Sequence, residues 1–375
     1  MPAATQPVPG AQPVPGARPV PGARPVPGAR RSLTTLPKAH LHLHFTGSMR
    51  HATLVELADV HGVRLPTSLV RDWPPQLRAT DERGWFRFQR LYDLARSVLQ
   101  TPADIDRLVA ETAADDAAEG SGWLELQVDP SGFAALFGGV TAFTELVLDA
   151  CRRAARDTGI GIGLVIAANR VRHPLDARTL ARLAGRFAVA PGVRVVGFGL
   201  SNDERRGVPE QFAPAFRIAR RAGLLSVPHA GELRGPDSVT AGLDVLGADR
   251  LGHGVRAAED PAVLARVAGG GVTLEVCPAS NVALGVYPDR AAVPLRALLD
   301  AGVRVALGAD DPLLFGSRLV AQYTDAREVD GLSDRELAGF ARASVEGSAA
   351  PTDVRQRLLA GIGAWLATPP PDGAG

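Results

Sequence analysis

Three histidines stand at alternate positions near the start of the chain, which has only eight histidines among its 375 residues. His40, His42 and His44 are separated by Leu41 and Leu43. Alternate side chains of a β-strand share one face, so a strand here predicts three imidazoles pointing the same way. Neutral imidazole is a common ligand of divalent metals, and a cation would keep adjacent rings from repelling one another. The spacing favours a metal site over a solvated edge strand that carries histidines by chance.

Other histidine and carboxylate residues follow apolar segments farther along the chain. His229 and Glu232 follow one segment, His253 ends a second, and Asp310 and Asp311 follow a third. Three imidazoles and one carboxylate around a divalent metal leave room for a water molecule, whose pKa would fall to about 7. The predicted metal ligands are His42, His44, His229 and Asp310.

The remaining polar residues have separate predicted roles. Glu232 lies three residues after a predicted ligand, close enough to exchange a proton with a substrate atom. His253 would orient or deprotonate the attacking water, and Asp311 would accept a hydrogen bond from the substrate. His40 precedes the first ligand by two residues and would lie roughly 6–7 Å deeper in an extended strand. We therefore expect His40 to form a hydrogen bond to a neighbouring strand and not to bind the metal.

Eight apolar, strand-like segments alternate with helical ones, and the residues described above stand at the ends of four of them. Most of these segments are apolar on both faces, as is typical of parallel strands covered by helices. Eight such units predict an α/β fold, the TIM (β/α)8 barrel, whose catalytic residues lie at the C-terminal ends of the strands. Extra helices are expected in an N-terminal lid region and at the C-terminus. A doubly wound open sheet is disfavoured because no glycine-rich phosphate loop follows the first strand.

The sequence pattern also predicts the bounds of these elements. After the histidine segment, the predicted strands span residues 123–128, 161–168, 193–200, 225–229, 250–254, 272–277 and 303–308. The predicted helices span residues 53–60, 85–99, 140–158, 177–187, 210–222, 239–246, 261–267, 293–299, 319–328, 334–345 and 352–366. The helix over 85–99 is aromatic and apolar, so it either packs in the core or covers an apolar pocket as a lid, and we favour the core.

The composition is that of an ordinary globular protein, with 46% hydrophobic and 22% charged residues. A net charge of +1 gives no electrostatic reason to expect binding to nucleic acid or to a membrane. Two cysteines cannot make a disulfide framework, and no apolar run approaches the ~20 residues needed to cross a bilayer. We expect a cytoplasmic protein that is a monomer or a small homo-oligomer.

The two ends of the chain are expected to differ from its body. The stretch Pro7–Arg30 repeats a six-residue unit rich in proline four times. Such a composition disfavours both helix and sheet. We therefore expect residues 1–32 to form a disordered arm, partly in the polyproline II conformation. Residues 33–367 are expected to form the barrel, and residues 368–375 a disordered tail.

Five segments of the chain resemble the adenosine deaminase family of the amidohydrolase superfamily, in the family's order. They are residues 37–47, 229–232, 251–254, 277–281 and 310–313. The resemblance implies a TIM barrel, one Zn²⁺ per chain, and hydrolysis of a 6-aminopurine to the 6-oxo compound with release of ammonia. The four predicted ligands match the family's zinc ligands. Glu232 matches the residue that protonates purine N1, His253 the partner of the attacking hydroxide, and Asp311 the contact to the imidazole half of the purine.

Three positions depart from the adenosine-specific pattern of that family. His40 stands where the family has a glutamate, Thr46 replaces an aspartate that contacts ribose, and Asn202 replaces a glycine that approaches the purine. Thr46 and Asn202 are therefore predicted to be substrate-binding positions at which the substrate preference is decided.

The resemblance implies a small-molecule 6-aminopurine as the partner, with adenosine or 2′-deoxyadenosine as the leading substrate in purine salvage. Adenine, or a modified adenosine such as aminodeoxyfutalosine, is the alternative, because Gly197, Gly199 and Leu200 are more similar to that branch. A catalytically silent adenosine-binding protein is a further alternative from a different class. Such a protein would not need Glu232 and His253 beside four metal ligands.

Overall fold

The computed structural model describes residues 30–189 and 192–369 of the chain. The body Ser32–Thr368 forms one compact unit. The proline-rich arm and most of the tail, for which the sequence predicts disorder, lie outside the described residues. Among the helices described, none is both long and apolar enough to span a membrane.

Eight strands form one sheet in which they follow one another in sequence order. Their bounds are β1 Lys38–His44, β2 Ser121–Val128, β3 Gly161–Asn169, β4 Val195–Ser201, β5 Leu225–Ala230, β6 Arg250–His253, β7 Thr273–Val276 and β8 Arg304–Leu307. All neighbouring strands are parallel, and a bridge between Leu43 and Asp310 joins β1 to the segment after β8. The sheet therefore forms a nearly closed barrel, which confirms the predicted TIM-barrel fold.

Helices connect the strands, and further helices precede β2 and follow β8. Their bounds are α1 His51–Val60, α2 Thr67–Val70, α3 Glu82–Ser97, α4 Pro102–Ala118, α5 Val140–Thr158, α6 Pro174–Arg186, α7 Pro209–Arg221, α8 Pro236–Asp244, α9 Pro261–Gly270, α10 Pro278–Ala283, α11 Leu295–Asp300, α12 Pro312–Phe315, α13 Leu319–Glu328, α14 Asp334–Gly347 and α15 Thr352–Ala367. The additional helices α1–α4 and α13–α15 agree with the expected N-terminal and C-terminal extensions.

Helix α4 is absent from the predicted elements, although its start carries a sequence signal. The Asp104 N–H donates to the Thr101 hydroxyl at 3.3 Å, and the Thr101 N–H donates to the Asp104 carboxylate at 2.8 Å. This reciprocal capping box, followed by Pro102 in the first turn, is a strong start for a helix. Helix α4 is important for the first strand because it carries Asp116, whose carboxylate contacts the ring of His40.

Strand β1 is irregular at its centre. Its pairing with β2 shifts between His40, which lies opposite Leu124, and Leu43, which lies opposite Leu126. Three steps along β1 therefore match two steps along β2, as in a β-bulge. The simple alternation that predicts three histidines on one face fails at this point, and His40 does not join the metal-ligating cluster that contains His42.

An aromatic cluster fixes the end of β1 against the outer helices. The rings of Phe133 and Phe143 are stacked with their centroids 4.3 Å apart, and Phe45 meets Phe133 edge to face at 5.6 Å. All three side chains are buried. Burying a phenylalanine contributes about 1.5–3 kcal/mol, so this cluster stabilises the backbone that directly follows His44.

Candidate active site

The four predicted metal ligands come together at the mouth of the barrel. The Nε2 atom of His44 lies 3.2 Å from Nε2 of His229 and 3.2 Å from Oδ1 of Asp310. The Nε2 atom of His42 lies 3.7 Å from the same Asp310 oxygen. Two ligand atoms on one tetrahedral zinc, each about 2.0–2.1 Å from the metal, lie about 3.3 Å apart. The observed separations therefore fit a shared cation.

The His42 ring is oriented by a buried chain of charges. Its Nδ1 atom lies 2.8 Å from Oε2 of Glu275, whose other oxygen accepts a hydrogen bond from Arg250 at 2.6 Å. Arg250 also donates to Glu125. Burial alone would raise the pKa of Glu275, but Arg250 and His42 outweigh it and lower that pKa. An ionised Glu275 accepts a hydrogen bond from the Nδ1–H group of His42. The Nε2 atom then presents its lone pair to the ligand cluster.

Among the described residues, Nε2 of His42 is buried and has no hydrogen-bond partner. A buried imidazole nitrogen without a partner carries a desolvation cost that a metal ion would remove. The donor set of three imidazoles and one carboxylate is typical of zinc sites. The residues present therefore fit a divalent cation, both in their geometry and in their unsatisfied valence.

The electrostatics of the cluster favour one positive charge at its centre. Burial alone would lower the pKa of His44, but Asp311 and Asp310 outweigh it and raise that pKa to about 9. Burial and the neighbouring imidazoles of His42 and other histidines hold the pKa of His229 well below its usual range. His229 is therefore neutral, and the position between His44 and Asp310 attracts either a proton or a metal ion.

Two further predicted residues flank this cluster. Nε2 of His253 lies 3.5 Å from Oε1 of Glu232 and 3.9 Å from Oδ2 of Asp310. Burial, reinforced by His42, lowers the pKa of His253 to about 3, so its ring is neutral. Burial, Asp310 and other carboxylates hold the pKa of Glu232 well above its usual range, so it keeps a proton that it can donate.

Asp311 follows the predicted ligand Asp310 directly in the chain. Its Oδ1 atom has no hydrogen-bond partner among the residues described, and Asp311 lines the central cavity. An added Cβ at Gly47 would lie 1.7 Å from that oxygen. Glycine is therefore required at position 47, where the unpartnered oxygen of Asp311 packs against the backbone.

Backbone strain marks three of the predicted site residues. Asn202, His253 and Asp310 have φ angles of 78°, 64° and 62°, and they are the described non-glycine residues with positive φ. The left-handed region is costly for side chains with a Cβ, and such strain clusters at functional sites. Asn202 stands where the family has glycine, and asparagine is among the residues that tolerate this conformation best.

A cavity opens above the ligand cluster, with about 690 Å³ of empty space that includes open solvent. Its lining residues are His44, Trp85, Phe88, Gln89, Tyr92, Arg96, Gln127, Asp129, Ala167, Asn169, Ser201, Asn202, His229, Glu232, His253, Leu284, Asp310 and Asp311. Trp85 and Phe88 of α3 are buried and also line this cavity. Helix α3 therefore serves both as core and as a lid.

The two predicted substrate positions have different surroundings. Thr46 is buried, is not among the lining residues, and its side chain is hydrogen-bonded to Tyr92 of the lid helix. Asn202 lines the cavity, accepts a hydrogen bond from Nε1 of Trp85 at 3.3 Å, and donates to Oε1 of Gln89 at 3.0 Å. Tyr92 therefore separates Thr46 from the cavity, and the Asn202 side chain ties the lid to β4.

His40 is held outside the cluster, as expected, but its main partner comes from an unpredicted helix. Its Nδ1 atom lies 3.0 Å from both carboxylate oxygens of Asp116, and its Nε2 atom accepts a hydrogen bond from the Ala309 N–H at 3.1 Å. Burial alone would raise the pKa of Asp116, but His40 outweighs it and lowers that pKa. His40 thus holds the backbone directly before Asp310.

Sequence analysis alone did not identify Glu275, Arg250 or Glu204 as residues that support the site. Glu275 is two residues before Cys277 of a quoted motif, and Arg250 begins the strand that ends in His253. For Glu275 and Arg250, the available signal is a charged residue inside an otherwise apolar strand, because such a residue needs a buried partner.

The first prediction compares His40→Gln with His42→Gln. Glutamine at position 40 can still donate to Asp116, so the loss of stability should stay below the about 3–5 kcal/mol of a broken buried pair. We expect His40→Gln to keep its metal and most of its activity, and His42→Gln to lose both. Metal analysis and turnover of the two variants test this. Loss of metal in the His40 variant would show that the ring supports the ligand cluster directly.

The second prediction concerns Glu275. Glu275→Gln removes the ionised acceptor for the Nδ1 proton of His42, so metal affinity should fall about 10- to 100-fold. Glu125→Gln is the matched control, because it also removes a carboxylate from Arg250 but leaves the contact to His42 in place. Competition with a chelator measures both affinities. Equal losses in the two variants would contradict an orienting role for Glu275.

Comparison with known proteins identifies the family of this chain. The family model described as adenosine deaminase matches residues 37–365. A Streptomyces coelicolor protein, whose name assigns it provisionally to adenosine or adenine deamination, is 64% identical over 340 residues, which cover 90% of this chain and 98% of that protein.

Two solved structures are also similar. An adenine deaminase from Arthrobacter aurescens has a TM-score of 0.80 and 28% identity, and the match covers 88% of this chain and 99% of that one. An amidohydrolase from Burkholderia ambifaria with bound zinc has a TM-score of 0.77 and 26% identity, over 91% of this chain and 95% of its own. The chain therefore belongs to the adenosine deaminase family and is a hydrolytic deaminase of adenine- or adenosine-type purines.

Proposed function

We propose that this enzyme deaminates the nucleosides adenosine and 2′-deoxyadenosine to inosine and 2′-deoxyinosine. The observation that carries this proposal is a division of the barrel mouth into two halves. The charged, reactive residues follow β1, β5, β6 and β8. The ends of β2, β3 and β4 instead supply polar side chains to the same cavity, namely Gln127, Asp129, Asn169 and Ser201. A free base offers too few polar atoms to use both halves.

The polar half contains groups suited to hydroxyls. Among the described residues, Oε1 of Gln127 is buried without a hydrogen-bond partner, and an added Cβ at Gly199 would lie 2.9 Å from it. Asp129 accepts a hydrogen bond from the Ser131 N–H at 2.9 Å through Oδ1. A carboxylate and an amide oxygen are acceptors that ribose hydroxyls can satisfy. We assign this half of the cavity to the sugar.

The metal in this proposal is one Zn²⁺ held by His42, His44, His229 and Asp310. The 3.2 Å separation of two imidazole nitrogens supports a shared ion, and the similar Burkholderia amidohydrolase contains zinc. A zinc ion held there would lower the pKa of a coordinated water to about 7 and make it a nucleophile at neutral pH.

The protein's own groups then handle the protons and the purine. His253 is neutral and takes a proton from the attacking water, while Glu232 donates a proton to ring nitrogen N1. The 3.5 Å between their reactive atoms is short enough for both groups to act on one purine ring, which supports these roles. Asp311 contacts the imidazole half of the purine. Water oxygen adds to C6, and the proton taken by His253 passes to the 6-amino group, so the C6–N bond breaks and ammonia leaves. The remaining hydroxyl proton returns to Glu232 as the 6-oxo product forms.

A second candidate substrate is an adenosine that carries an anionic group at its 5′ position. Arg96 is the one lysine or arginine that lines the cavity in the part of the chain described. Its guanidinium is 28% exposed and pairs with Asp93, itself 45% exposed, and such exposed pairs are weak enough to exchange partners. A carboxylate on the substrate, as in aminodeoxyfutalosine, would offer Arg96 a bidentate partner.

The third prediction is a substrate series. We expect adenosine and 2′-deoxyadenosine to have higher kcat/KM than adenine, and Asp129→Asn to lower kcat/KM for adenosine about tenfold or more. Adenine turnover by the variant should be unchanged, because the base does not reach Asp129. Asp157→Asn, an exposed residue of α5, is the control for loss of a carboxylate.

Two outcomes of the same series would change the proposal. Adenine turning over faster than adenosine would assign the enzyme to free bases, as the name of the Arthrobacter structure says of that protein. Aminodeoxyfutalosine turning over faster than adenosine, with the advantage lost in Arg96→Gln, would establish the second candidate.

A further inference from the structure

Glu204 makes an unusual set of contacts directly beneath the proposed general acid. It lies three residues after β4 and is 1% exposed. One carboxylate oxygen accepts the N–H of Gly231 at 2.5 Å and the hydroxyl of Ser238. The other oxygen accepts the N–H of Glu232 at 3.0 Å and that of Arg234 at 2.8 Å. The Glu204 side chain thus accepts hydrogen bonds from three backbone N–H groups of the turn after β5, those of Gly231, Glu232 and Arg234.

We propose that Glu204 is a positioning residue that fixes the Glu232 carboxyl group against the substrate. The proposal rests on the proposed function, because it assigns Glu204 to the placement of the acid in that reaction. Glu204 itself does not touch the substrate, since it is absent from the lining of the cavity.

The turn needs such a clamp because its conformation requires glycine and its space is filled. Gly231 has a φ of 76°, and an added Cβ there would lie 2.4 Å from a methyl group of Val239. The turn cannot relax towards a different backbone shape without moving α8. The N–H groups of Gly231 and Glu232, which are buried residues, would be left without these partners if Glu204 were removed.

Only a carboxylate of this length serves all four donors. An ionised carboxylate has two oxygens that accept only, whereas the amide of glutamine would place N–H groups against two of these donors. Aspartate has the correct charge but is one methylene shorter, so it cannot reach the turn without moving it. Both substitutions therefore displace Glu232, by different means.

The other end of the segment is fixed separately. Arg170 is buried and donates to the backbone carbonyl of His229 at 2.5 Å. Arg170 and Glu204 thus hold the two ends of the short segment that joins a predicted ligand to the proposed acid. Because the ligand end has its own anchor, loss of Glu204 should displace Glu232 while His229 stays in place.

The experiment compares Glu204→Gln and Glu204→Asp with the unmodified enzyme. We expect both variants to bind zinc fully, to keep KM within a few fold, and to lose kcat by about tenfold or more, because misplacement by 1 Å can cost 10²-fold. Asp249→Asn is the matched control. It removes a carboxylate that accepts the Ser226 N–H at the opposite end of β5, so it should leave kcat unchanged.

Crystal structures of the zinc-bound variants give a readout that does not depend on the substrate. Displacement of the Glu232 carboxyl group from His253, with His229 in place, supports the proposal. Wild-type kcat in either variant would overturn it, and so would an undisturbed Glu232. If Glu204→Gln fails to fold, the aspartate variant decides alone by the same criteria. Failure of the unmodified enzyme to turn over any 6-aminopurine would instead refute the proposed function.

Discussion

The structure depends on the burial of several like-charged or chargeable groups in one small space. The imidazoles of four histidines and the carboxyl groups of Glu232, Asp310 and Asp311 meet at the mouth of the barrel with little access to water. Isolated charges in such a place cost several kcal/mol each, about the whole stability of a domain. A central cation would resolve this conflict, because it would attract the carboxylates and the ring lone pairs together. The surrounding fold supplies the fixed partners that keep each group in one protonation state.

Those partners form a buried system that extends inward from the mouth. Glu275 holds the ring of His42, and Arg250 links Glu275 to Glu125 and to the backbone carbonyl of Gly347 in α14. This link between a predicted metal ligand and α14 explains why charged residues occur inside strands that are otherwise apolar. The same residues therefore stabilise the barrel interior and orient the His42 ring at the mouth.

Much of this arrangement is predictable from the sequence. Parallel apolar strands with His or Asp at their ends predict a barrel whose reactive residues share one rim. The structure groups His42, His44 and His229 there, with Asp310 close to His42 and His44. The remaining features depend on contacts between distant segments. The β-bulge after His40, its pairing with Asp116 on α4, and the cover that Tyr92 places over Thr46 arise from tertiary packing, which strand periodicity does not encode. Glu204 and Glu275 escape notice for the same reason, because their importance lies in which backbone or ring they reach.

The most direct test of a shared metal is anomalous scattering from crystals of active enzyme, measured on both sides of the zinc absorption edge. We predict a single strong peak about 2.0–2.2 Å from Nε2 of His42, His44 and His229 and from one oxygen of Asp310. An active preparation whose crystals show no peak at this position, or a peak bound by other residues, would contradict the assignment.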